Sequence, residues 1–283
     1  MTRRKPTITL SQRKRYLSYL KEQERSAATL SKYAHDLVVF CAWLQDAPLT
    51  KAALIDWKES LASQYAPATV NSMLAVVNGY LRFMGWATLC VRPIKVQRSL
   101  FLDEKKELTR AEYARLVHAA RQQNNERLSL VIQTICATGI RVSELQFITA
   151  EAVYSGRAEI TNKGKRRLVF LPEKLRRLLK AYLRKQKKTA GAVFTTRTGK
   201  PLDRSNIWRD MKALCESAGV APEKVFPHNL RHLFARTFYG LEKDLSRLAD
   251  ILGHSSVNTT RIYTAESGSA HAAQMGRLGL VIT

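Results

Sequence analysis

Cysteine is scarce. Four occur in 283 residues, Cys41, Cys90, Cys136 and Cys215, and no two of them form a C-x-x-C pair, so a zinc site is not expected. Three sit inside apolar helical patterns, where a buried free thiol in a reducing, cytoplasmic compartment is the expectation. Long apolar runs are missing as well. None approaches the roughly 18 residues of a membrane-spanning helix, and no membrane partner is expected. The basic start, Met1-Thr-Arg-Arg-Lys-Pro6, is not followed by an apolar core, which argues against a secretory signal. Internal repeats and low-complexity segments are absent. The remaining shortage is of negative charge: 23 Asp and Glu stand against 47 Lys and Arg, a net charge of +24.

With 45% hydrophobic and 25% charged residues, the chain is composed like an ordinary globular protein long enough for two domains. A surplus of +24 repels itself unless a polyanion is a regular partner. Nucleic acid is the leading candidate, with an anionic membrane or a ribosome-like assembly as the alternative. Residues 1–99 hold 15 basic and 6 acidic residues, and residues 100–283 hold 32 and 17. Both halves are therefore expected to face the same anion, unlike a neutral domain with a basic tail.

Residues 1–90 read as helices. Leu30, Tyr33, Leu37, Phe40, Cys41 and Leu44 recur at spacings of three and four, as do Val70, Met73, Leu74, Val77, Leu81 and Met84. Weaker segments around 11–24 and 51–63 complete a four-helix unit, with Thr50 as an N-cap. Residues 91–106, basic and interrupted by Pro93, read as a linker. Residues 107–283 form the second domain, whose first helix opens at a Thr109/Glu112 capping box. Ala158 and Ile160, then Leu168 and Phe170, alternate around a cationic turn, Asn162 to Arg167, and predict a β-hairpin. Residues 192–195 suggest a short strand, and Asp203 caps the helix after it. The fold class expected is mainly α with a small β-sheet.

Four clusters in the second half carry chemistry. Ala137-Thr-Gly-Ile-Arg141-Val-Ser-Glu144 puts Arg141 at a helix junction, where its guanidinium can project into a cleft; an ordinary surface ion pair is the alternative. The hairpin tip carries Lys163 and Lys165, either solvated or entering a DNA groove. In His228-Asn-Leu-Arg231-His232, His228 and Arg231 share a helix face. His228 and His232 have metal-ligand spacing, but Asn229 stands where a zinc hydrolase needs Glu and no third ligand is evident. Leu252-Gly-His254 precedes Tyr263 by a short stretch.

Taken together these clusters resemble the tyrosine recombinase (phage integrase) family over nearly the whole chain. The resemblance implies an N-terminal helical core-binding domain of SAM-like fold and a mixed α+β catalytic domain. It implies six catalytic residues, Arg141, Lys163, His228, Arg231, His254 and Tyr263, with Lys165 as the alternative to Lys163. Neither cofactor nor metal is implied. The phosphodiester is an anion that resists nucleophiles; two Arg can neutralise it and two His can add hydrogen bonds. At about 3–4 kcal/mol for each well-placed donor, four would supply about 12–16 kcal/mol if additive. The resemblance implies Tyr263 as the nucleophile, His228 or a neighbour as the candidate proton acceptor, and Lys163 as the candidate acid that protonates the leaving 5′ oxygen. Glu144 supports Arg141.

The product is a 3′-phosphotyrosine, resolved through a Holliday junction. The partners implied are double-stranded DNA, further copies of the chain in a homotetramer on two DNA sites, and accessory DNA-bending proteins where an element needs them. A cytoplasmic, nucleoid-associated protein is expected. A type IB topoisomerase and a DNA-binding protein with a degenerate site are the rivals; the motif spacing and the six filled positions favour the recombinase. The first helical pattern starts near residue 11, so an arm-binding domain is not expected, and a Xer-type or mobile-element enzyme is. At the C-terminus Leu278, Leu280, Val281 and Ile282 form an apolar patch behind a Gly268-Ser269 hinge. It docks on its own domain or, as the resemblance favours, in a neighbouring protomer.

Overall fold

The computed structural model describes residues 7–45, 47–96, 104–162, 165–263 and 275–278. Lys163 and the tail residues Gly268, Ser269, Leu280, Val281 and Ile282 lie outside them; Leu278 is described and exposed. The fold is mostly helical with one two-stranded antiparallel sheet. The chain divides into two compact units, Met1–Arg98 and Ser99–Thr283.

The first unit holds four helices, α1 (Leu10–Glu22), α2 (Ala27–Leu44), α3 (Lys51–Gln64) and α4 (Pro67–Phe83). Thr9, Ser26 and Thr50 cap the first three by accepting backbone N–H bonds, each worth about 1 kcal/mol. Pro67 opens α4, where its missing N–H costs nothing. Leu37, Phe40, Trp57, Leu74 and Tyr80 fill the core. The sequence assigns residues from 91 onward to the linker, yet this segment first docks on α4. Asn78 exchanges two hydrogen bonds with the Val91 backbone, and Asn71 does the same with Ile94.

The second unit is built on α6 (Glu126–Thr138), whose apolar residues are almost all buried. It is preceded by α5 (Arg110–Gln122), opened by the Thr109/Glu112 capping box. A 3-10 turn (Val142–Phe147) and α7 (Ala150–Ser155) lead into the hairpin of β1 (Arg157–Asn162) and β2 (Lys165–Phe170). Then come α8 (Glu173–Lys185), α9 (Arg204–Lys212) capped by Asp203, α10 (Cys215–Ala218) and α11 (Pro227–Glu242). Finally α12 (Leu245–Leu252) and α13 (Val257–Thr260) lead to a 3-10 turn, Arg261–Tyr263.

Three local expectations change. The hairpin turn is shorter than expected, because Lys165 already pairs with Asn162 across the strands. The buried apolar residue of β2 is Val169, followed by buried Leu171 just after the strand, with Leu168 and Phe170 exposed. Val169 lies opposite buried Ala158, and Arg167 opposite buried Ile160, so Arg167 is carried inward on the core side. Residues 192–195 form isolated bridges, Thr149 to Ala192 and Thr195 to Pro201, in place of a strand, though Val193 and Phe194 are buried. Cys215 is buried, the other three cysteines are partly so, and all are free.

Candidate active site

Two glycines shape the ground on which the site stands. Gly139 ends α6 at φ 66°, and a Cβ there would collide with the Phe234 ring. Gly253 ends α12 at φ 66°, and a Cβ there would meet the Arg167 side chain at 2.8 Å. These tight helix ends turn the Gly139 and Leu252 carbonyls onto Arg231, which donates to them at 2.7 and 2.8 Å.

Arg231 is 1% exposed. Its Nη2 also donates to His254 Nε2 at 2.9 Å, and it is hydrogen-bonded to the Tyr263 side chain. Burial and the charge of Arg141 push its pKa down to about 10, with Tyr263 opposing the shift. An arginine cannot accept, so His254 Nε2 must. The proton of that imidazole is then on Nδ1, which donates to Thr260 Oγ1 at 2.8 Å. His254 is thus neutral with both nitrogens engaged. The sequence reading takes Arg231 and His254 as open donors; here Arg231 is already hydrogen-bonded to four protein groups, those of Gly139, Leu252, His254 and Tyr263, and His254 has no free N–H to offer.

Arg141 is the more open arginine, with its side chain 35% exposed. Buried Glu144 accepts from the Arg141 backbone N–H at 2.8 Å and from its Nη1 at 3.1 Å. Glu144 also takes a bidentate pair from Arg167, at 2.9 and 2.7 Å. Burial alone would raise this carboxyl; the hydrogen bonds from Arg167 and Arg141 bring it down to about 2.

His228 lies in the first turn of α11. Burial of its ring, then the positive fields of His232, Arg231, Arg141 and Arg204, hold its pKa down at about 4. His254 is also lowered to about 4, by burial and by Arg231, Arg141, Arg167 and His228. Tyr263 is 4% exposed, in a cluster with Ala235, Leu248 and Leu252. The His254 ring stacks on it at 6.2 Å and His232 meets it edge-on at 5.0 Å.

Arg141, His228, Arg231, His254 and Tyr263 therefore meet in one place; Lys163 is outside the described residues, and Lys165 lies in β2. Asn229 donates to the carbonyls of Lys106 and Lys224, and no cluster of three metal-ligating side chains occurs among the described residues. Sequence reasoning missed Arg167, Arg204, Thr260 and Glu107. Arg167 was legible only as part of a cationic turn. Glu107 pairs with His232 across 125 positions, for which no local pattern exists.

The model of the phage integrase family matches residues 106–269, and that of the phage integrase N-terminal SAM-like domain matches residues 14–88. The chain belongs to the phage integrase family. It is a tyrosine recombinase, of a family that cleaves and rejoins DNA by a tyrosine mechanism. Among its relatives is tyrosine recombinase XerD of Xanthomonas campestris pv. campestris, 31% identical over 279 residues, covering 86% of this chain and 83% of that protein. XerD of Caulobacter vibrioides is 32% identical over 281 residues, covering 91% and 88%. Two solved structures share the fold. A lambda integrase dimer bound to a COC′ core site aligns at TM-score 0.75 and 20% identity, covering 93% of this chain and 97% of that one. XerH bound to difH substrate in a pre-cleavage complex aligns at 0.69 and 21%, covering 95% and 84%.

Proposed function

We propose that this tyrosine recombinase cuts double-stranded DNA with Tyr263, holds the broken end as a 3′-phosphotyrosine, and exchanges strands between two sites through a Holliday junction. The observation that carries this reading is the single network Tyr263–Arg231–His254–Thr260, which joins the nucleophile's own segment to the arginine of the His228-Asn-Leu-Arg231 motif. Arg141, anchored on one side by Glu144 and open on the other, is the phosphate clamp. Buried Arg231 supplies fixed charge. His228, neutral at pH 7, takes the phenol proton as Tyr263 attacks, and Lys163 protonates the leaving 5′ oxygen. The Xer relatives favour short-site, Xer-type resolution over the integration or excision of a mobile element. A homotetramer on two sites, assisted by DNA-bending proteins where the site requires them, is the working assembly, in the cytoplasm at the nucleoid. No helix among the described residues is long and apolar enough to cross a membrane.

On a nicked duplex selected from a randomised library, the protein should accumulate an adduct that survives denaturation. Lys163→Ala should slow cleavage of normal DNA about 100-fold or more, yet barely affect DNA with a 5′-bridging sulfur, whose leaving group needs no proton. Equal slowing on both substrates moves the acid elsewhere, with Lys165→Ala as the next variant.

DNA binding should also take up protons. The imidazoles of His228 and His254 have folded pKa values of about 4, below the ordinary 6.5. A phosphate brought beside His228 favours its charged form and raises its value, whereas His254 could take a second proton only by losing the bond it accepts from Arg231. Proton uptake on binding, and tighter binding as pH falls through this window, is the expected sign. Calorimetry near pH 5.5 in buffers of different ionisation enthalpy measures it; no uptake, or proton release, would separate His228 from the phosphate.

A further inference from the structure

The Tyr263 ring lies against two imidazoles, and only one of them belongs to the six residues discussed so far. His254 is locked by Arg231 and Thr260. His232 has a brace of its own: its Nδ1 lies 3.2 Å from Glu107 Oε1, while Arg236 donates to Glu107 Oε2 at 3.1 Å. A carboxylate only accepts, so Nδ1 carries the proton. Glu107 is 13% exposed and His232 18% at the side chain, so solvent screens the pair little. Glu107 is fixed in turn by its chain neighbour, for Asn229 donates to the Lys106 carbonyl at 2.7 Å. Asn229, His232 and Arg236 recur at three and four residues, so one stripe of α11 grips residues 106 and 107. The same His232 ring touches the His228 ring, at 4.5 Å, and the Tyr263 ring. Its Nε2 is buried without a hydrogen-bond partner. Buried polar atoms in native proteins are nearly always paired, and the exceptions concentrate where chemistry constrains the side chain. A ring held for packing alone would be served by Phe or Leu without an orphaned nitrogen or a partly buried carboxylate.

We propose that Glu107, acting through His232, is a positioning residue that fixes the Tyr263 ring for attack. The inference rests on Tyr263 being the nucleophile. The carboxylate sets the imidazole plane, and the imidazole packs edge-on against the tyrosine ring and sets its plane. Without Glu107 the His232 ring turns about its side-chain bonds, and the phenol samples orientations that miss the phosphorus.

The test uses the full chain and a nicked duplex, with three readouts: single-turnover adduct formation at saturating DNA, DNA affinity, and melting temperature. Glu107→Ala and His232→Phe should each slow adduct formation at least tenfold, with affinity within twofold of the parent. His232→Phe keeps the ring volume and so separates bracing from packing. Glu107→Gln, whose amide oxygen still accepts from Nδ1, should recover to within threefold of the parent rate. Parental rates in Glu107→Ala and His232→Phe overturn the proposal, as does a Glu107→Gln rate as slow as that of Glu107→Ala. So does a rate loss that merely tracks lost affinity or melting below the assay temperature, which marks a structural clasp. Absence of an adduct from the parent protein overturns the nucleophile assignment and this inference with it; a parental adduct with unchanged variant rates overturns this inference alone.

Discussion

Tyr263→Phe should bind duplex DNA as tightly as the parent and form no covalent adduct with it. The hydroxyl is the only atom removed, and the ring remains in its cluster with Ala235, Leu248 and Leu252. The lost hydrogen bond to the buried Arg231 guanidinium costs about 1.5–3 kcal/mol, too little to unfold the unit but enough to register as a drop in melting temperature. Cleavage, by contrast, should fall to nothing measurable, because no other hydroxyl replaces the nucleophile. Denaturing electrophoresis of labelled DNA reads the outcome, and an adduct from the variant would remove Tyr263 from the mechanism.

The second large effect is expected at Glu144. Glu144→Ala leaves Arg141 and Arg167 facing each other without their shared counter-ion, and the Arg167 side chain is only 14% exposed. Removing one partner of a buried pair costs about 3–5 kcal/mol. The titration behaviour leads to the same magnitude. The carboxyl has a folded pKa of about 2, against a reference value of 4.5. Its contribution, about 3 kcal/mol, is fully present above the unfolded value and is lost as pH falls from about 4.5 to about 2. Adduct formation should fall about 100- to 1000-fold as Arg141 loses its orientation. Thermal melting as a function of pH, with the single-turnover rate, tests both parts. A variant that melts like the parent would mean that Arg167 alone is neutralised by solvent.

The helical plan was legible because it is written in local pattern. The three- and four-residue spacing of Leu37, Phe40 and Leu44, the Thr50 cap and the Thr109/Glu112 box each act within one turn of chain, and each forms as expected. The five described residues of the candidate site were legible by type and spacing. What was not legible depends on distant partners. Arg167 turns inward because Glu144, 23 positions away, receives it. Glu107 and His232 meet only through the tertiary fold. Residues 192–195 have strand-like composition, but the backbone beside them offers only single bridges.

A nascent chain meets two ways of closing the hairpin. Leu168-Val-Phe-Leu171 is apolar in both phases of the strand alternation, so a slip of one residue would turn Leu168 and Phe170 inward and Arg167 out to solvent. Burial of apolar area scarcely separates the two registers. Arg167 separates them, since only the native phase delivers it to Glu144. The Glu144 carboxylate that orients Arg141 in the finished enzyme thus also favours, through its pair with Arg167, one strand register over the other, and Phe170, 71% exposed, stays on the surface.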